Sequence, residues 1–102
     1  MKINVRKIKS IKLFGKTFSV KFADGEDWSM DSGAERYLGR CDHGNQLILI
    51  KDRISNESCM DTLFHEIAHI VSVEMGMDLD EAHVTQWATA LTDLFLSNEW
   101  KT

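Results

Sequence analysis

Two histidines four residues apart inside an apolar run constrain this chain more than any other feature. The run reads Thr62-Leu63-Phe64-His65-Glu66-Ile67-Ala68-His69-Ile70-Val71. Residues i and i+4 lie one above the other on a helix face. A helix through this run therefore presents the imidazoles of His65 and His69 side by side. Leu63, Phe64, Ile70 and Val71 supply the apolar surface that buries the helix and holds both rings still. A core helix with two stacked histidines and nothing else must find hydrogen-bond partners for each. A single ion shared by both rings satisfies them together.

His-Glu-x-x-His is the zinc-peptidase signature, two metal ligands and a general base on one helix. Glu66 points about 100° around the helix from His65. It therefore reaches a water on the metal more readily than the metal itself. One zinc per chain is expected. Glu66 would accept a proton from a water whose pKa the zinc lowers toward about 7, and then deliver it to the leaving amine of a cleaved peptide bond.

The remaining composition sets bounds. The 102 residues fit one domain spanning 1–102. Apolar content of 43% is that of a globular chain, and a net charge of −4 argues against a nucleic-acid surface. Lys2, Arg6, Lys7, Lys9 and Lys12 alternate with Ile3, Val5, Ile8 and Ile11, the pattern of a solvated strand face. No unbroken apolar stretch follows these cations, so a signal peptide is not expected. No segment has the length of a transmembrane helix. Cys41 and Cys59 lack a CxxC partner and read as free thiols in a reducing cytoplasm. Cys59 is a more distant candidate for a metal ligand.

The pattern divides into a β half and an α half. Residues 8–22 read as a hairpin turning at Phe14-Gly15-Lys16-Thr17. Residues 23–35 have a loop composition. Tyr37–Cys41 and Gln46–Ile50 read as a second hairpin around Asp42-His43-Gly44-Asn45. The run Leu47-Ile48-Leu49-Ile50 is apolar on both faces, which suits a strand covered on both sides. The first helix follows Ser55-Asn56, with Ser58 and Asp61 as a capping pair or Ser55 as the cap, and runs to about Met75, where Gly76 stops it. The second begins near Asp78–Asp80 and ends near Leu96 or Ser97. Its core stripe is expected to be Val84, Trp87, Ala88, Leu91, Leu94 and Phe95.

A catalytic zinc needs a third protein ligand and an open fourth position. The second helix offers Glu81 and His83. Glu81 continues the apolar stripe and is the favoured ligand; His83 lies nearer the stripe's edge. Glu81 has a competing role, since Asp78 and Glu81 also form an Asp-x-x-Glu capping box. Arg36, Tyr37, Arg40 and His43 are candidate donors to the oxyanion. Trp28 could line a cleft or fill the core.

The stretch from Asp61 to Leu96 resembles the short HExxH metallopeptidases of phages and bacterial mobile elements, of the ImmA/IrrE-type gluzincin group. Their third-ligand glutamate lies in a Glu-x-x-Ala-x-x-Phe-Ala-x-x-Leu pattern, and the matching positions here read Glu81, Val84, Trp87, Ala88 and Leu91. Val stands for Ala and Trp for Phe, the spacing from His69 to Glu81 is short, and there is no trailing Leu-Met-Pro. The Gln46–Ile50 strand looks like the strand that precedes the catalytic helix in that group. The resemblance implies a zincin-like minimal domain of α+β class, with an N-terminal antiparallel sheet of two hairpins packed on two helices. It implies ligands His65, His69 and Glu81, base Glu66, and a cytoplasmic endopeptidase cutting a protein or peptide such as a repressor-like protein. The alternative is a zinc-binding interaction module that keeps the fold and cuts little or nothing; a closed structural site would not need Glu66.

Overall fold

A computed structural model describes residues 4–23 and 38–98. The class is α+β, a four-stranded sheet with two helices. After a 3-10 turn at Val5–Lys7 come β1 (Ser10–Leu13), β2 (Lys16–Ala23), β3 (Gly39–Asp42) and β4 (Leu47–Lys51). The helices are α1 (Asn56–Glu74) and α2 (Glu81–Leu96). No described helix is long and apolar enough to cross a membrane.

The first hairpin turns on two residues, Phe14 and Gly15, at φ 53° and 78°. Two successive left-handed residues are what a tight hairpin matched to strand twist requires. The second hairpin closes through Asp42, whose carboxylate accepts from Asn45 N at 3.1 Å and Asn45 Nδ2 at 2.8 Å. These bonds hold the Asp42 carboxyl below its usual range.

The sheet order is β1-β2-β4-β3, and it is mixed. Both hairpins are antiparallel as expected, but β2 and β4 run parallel, with Val20 opposite Ile48 and Phe22 opposite Ile50. An all-antiparallel sheet is therefore corrected. Burial explains the difference. The Leu47–Ile50 run needs cover on both faces and takes a central place, while β3, with Arg40 and Asp42, suits an edge. Ile48 and Ile50 point inward with Phe18 and Val20, onto Cys59, Met60, Leu63 and Ile70 of α1. Leu47 and Leu49 form a small separate cluster on the other face.

α1 is capped by Ser55, whose hydroxyl accepts from Ser58 N at 3.0 Å. Of the two expected starts, Ser55 is the one observed. Val5 N donates to Asn56 Oδ1 at 3.3 Å, and Arg6 pairs with Asp52 at 3.1 Å, so the N-terminal turn is tied to the start of the helix. Lys16 reaches Glu74 at 2.7 Å and ties the first hairpin to its end. α2 packs on α1 through Val84, Ala88 and Thr92, with Phe64 and Phe95 rings 5.3 Å apart. Two members of the expected stripe are not core: Trp87 is 58% exposed and Leu94 44%. Among the described residues α2 rests chiefly on one helix, which covers a narrow face of it.

Candidate metal centre

The centre is assembled by the way α1 stops and α2 starts. Gly76, at φ 64°, follows the cap residue Met75. Gly76 N donates to Val73 O at 3.3 Å and Met77 N to Ser72 O at 2.8 Å, the paired bonds of a Schellman stop. Ser72 then holds the link through its side chain. Its hydroxyl donates to Met77 O at 2.9 Å and accepts from Leu79 N at 3.4 Å. Asp80 caps α2, accepting from His83 N at 2.8 Å. Glu81 is consequently the first residue of α2, and its carboxylate has no capping duty. The competing Asp78–Glu81 capping box does not form.

That start delivers Glu81 to the two histidines. His65 Nε2 lies 2.6 Å from Glu81 Oε1, and His69 Nε2 lies 3.2 Å from Glu81 Oε2. The two Nε2 atoms are 3.2 Å apart, with the rings edge-on at a centroid distance of 4.9 Å. His65, His69 and Glu81 form a group that can hold a metal ion, every ligand atom lying within 4.8 Å of the others. The fit is geometric. Ligands about 2.0–2.1 Å from a tetrahedral ion stand about 3.3 Å from one another; the two 3.2 Å separations match this, whereas His65 Nε2 and Glu81 Oε1, at 2.6 Å, are at hydrogen-bond distance. It is also chemical: three electron-rich atoms converging on one point repel unless a cation or protons lie between them. His83 turns away, its Nδ1 2.9 Å from Asp80 Oδ1. Between the two candidates for third ligand, Glu81 joins the group and His83 does not.

The group opens to solvent on the α2 side, where the Glu81 side chain is 67% exposed. On the other side it is closed by the sheet. Glu66 is only 7% exposed and lies beneath β3. A Cβ at Gly39 would run into Thr62 Cγ2 and would sit 3.1 Å from Leu49 O and 3.6 Å from Glu66 Cγ. The edge strand can therefore lie this close to α1 only because residue 39 has no side chain. Burial raises the Glu66 pKa above the ordinary carboxyl value, opposed by His65 and reinforced by Glu81. Cys41, on the same strand, is pushed up to about 11, by burial first and then by the charges of Glu66 and Asp42. Cys41 is not among the ligand atoms that converge with His65, His69 and Glu81. Cys59 is also free, buried in the core with Sγ 3.7 Å from Lys51 O.

Sequence reasoning missed Ser72, Asp80 and Gly39 as parts of this site. A serine in the apolar run three residues after His69 was a signal that something in the next link needed a partner. Of the candidate oxyanion donors, Arg40 lies on β3 and His43 in the following turn. Trp28, Arg36 and Tyr37 fall outside the described residues. No protein-family model matches the chain, and no curated protein or solved structure matches it significantly.

Proposed function

We propose that this chain is a zinc-dependent metallopeptidase of the ImmA/IrrE-like kind, cutting a protein or peptide substrate. The observation that carries the reading is the convergence of His65, His69 and Glu81 beside a buried Glu66. Two imidazoles with one carboxylate is a donor set for zinc, not for calcium or magnesium, which take oxygen ligands. Zinc held there supplies a Lewis acid for the scissile carbonyl and a water acidified toward a pKa of about 7.

The chain's own residues do the rest. His65 and His69 arrive prealigned because they are one helical turn apart. Glu81 closes the triad from α2 and leaves the solvent side open for substrate. Glu66 takes the proton from the attacking water and hands it to the leaving nitrogen. Its buried position raises its basicity, which suits a proton acceptor working near neutral pH. The β3 backbone over Glu66 shields that carboxylate from bulk water.

The test is Glu66→Gln, which preserves size and polarity but removes the base. Wild type is screened against a peptide library and against repressor-like proteins from its own genomic neighbourhood. Zinc content and fold should be unchanged, and cleavage should fall by about 10²–10⁴. Equal cutting by both proteins would overturn the mechanism. Binding of one partner by both, with no cutting by either, would give the site to an interaction module instead.

A further inference from the structure

The charge of this molecule is sorted by half. Residues 1–22 contain seven Lys or Arg and no Asp or Glu, whereas residues 55–98 contain eight Asp or Glu and no Lys or Arg. The register turns the first segment into a surface. Ile11, Phe18 and Val20 face α1, so Ser10, Lys12, Thr17, Ser19 and Lys21 face the opposite way. Lys21 stands beside Leu49 in the parallel pair, on the sheet face that α1 does not cover. A cavity of about 560 Å³ lies along the second half of β2, which runs past the first residue of β1. Ile8, Phe22, Leu47 and Leu49 give it apolar walls, and Lys9 and Lys21 stand at it.

Among the described residues, no acidic side chain lines this cavity. Arg6 also borders it, but its charge is engaged by Asp52. Lys9, Lys12 and Lys21 are exposed and make no ion pair among the described residues. The cavity shares no residue with the metal centre. Its volume lies in the range of pockets that take a small ligand or a few side chains.

We propose that this cavity is a docking site for an acidic segment of the protein partner. That segment would seat an apolar side chain against Leu47 and Leu49 while flanking carboxylates meet Lys9 and Lys21. The choice of a polypeptide rests on the peptidase reading above. The candidate metal group is open to solvent at Glu81, so a second contact is where a partner would be selected. Charge complementarity sets the sign of the partner. The apolar floor separates it from nucleic acid, which the net charge of −4 disfavours.

The probe is a fluorescein-labelled synthetic peptide, Glu-Asp-Leu-Glu-Phe-Asp-Glu, read by anisotropy at physiological salt. Two comparison probes are the same peptide with serine in place of Leu and Phe, and an oligothymidylate of roughly ten nucleotides. Wild type should bind the first probe, and the serine version at least about five-fold more weakly. Lys9→Glu with Lys21→Glu should weaken it about ten-fold or more, with melting temperature and zinc content unchanged. Lys9→Gln with Lys21→Gln gives a milder loss and serves if the reversal harms folding. Equal binding of both peptides, tighter binding of the oligonucleotide, or no binding would each overturn the proposal. So would salt-sensitive self-association by sedimentation that the lysine substitutions abolish, because the acidic half of a second copy would then be the occupant. Peptide binding needs neither metal nor cleavage, so a failure here and a failure of the zinc reading are told apart by metal analysis of the same samples.

Discussion

Glu66 and Glu81 stand near the same histidine pair in opposite surroundings, one buried beneath a strand and the other largely in solvent. The difference has a consequence for stability in the metal-free protein. Burial raises the Glu66 pKa, so the folded state holds that proton more tightly than the unfolded state does. Below the ordinary carboxyl value, 4.5, both states are protonated and Glu66 adds no pH-dependent cost. As pH rises through the folded pKa, the protein loses stability, because the native state binds more protons. Glu66→Gln removes that cost. The melting temperatures of metal-free wild type and Glu66→Gln should therefore converge at acid pH. They should separate in favour of the variant toward neutrality. Parallel curves would mean that Glu66 is not held in a desolvated place.

At the scale of elements, the local signals were legible and the long-range ones were not. The stop at Gly76 is found where the sequence puts it, the helix starts at Ser55, the second of two expected caps, and the first turn is shorter than the expected Phe14–Thr17, with Lys16 and Thr17 already in β2. The parallel pairing of β2 with β4 depends on which strand of the second hairpin lies inward, which no short window encodes. Trp87 and Leu94 sit at helical spacing with true core residues, but periodicity does not report how wide a face the neighbouring helix covers. Glu81 was legible as a candidate; its freedom to bind was not, because it depended on Asp80 taking the cap.

Two contacts between elements make testable statements. Gly39→Ala should cost roughly 1–3 kcal/mol by overpacking, since the new methyl meets Thr62 Cγ2. Thr62→Ser removes that methyl while keeping the hydroxyl bonded to Ser58 O at 2.7 Å. The double variant should recover part of the loss, with a coupling of about 1 kcal/mol in a thermodynamic cycle. Additive losses would show that β3 and α1 are not in contact there. Ser72→Ala leaves every ligand in place but frees the link that delivers Glu81. Its zinc dissociation constant should rise roughly ten-fold, and an unchanged constant would remove Ser72 from the site.

Among the described residues, one covalent link and the helix–helix face with α1 join α2 to the rest, and the candidate metal group His65, His69 and Glu81 spans the same joint. The candidate ligands were legible because two of them lie on one helix and the third opens the next. The sorted charge was visible in the sequence only as a basic N-terminus; the sheet register was needed to gather it on one face. Ion binding to the folded state alone should stabilise the protein by mass action, about 2.7 kcal/mol at a hundred-fold excess over the dissociation constant. The most direct measurement is therefore a zinc titration of the metal-free protein, following bound metal and melting temperature together. Wild type and His83→Ala should each take up one zinc per chain and melt at a higher temperature when loaded. His65→Ala, His69→Ala and Glu81→Ala should each lose tight binding and that rise. Wild type that takes up no zinc, or Glu81→Ala that binds as wild type does while His83→Ala fails, would contradict the account.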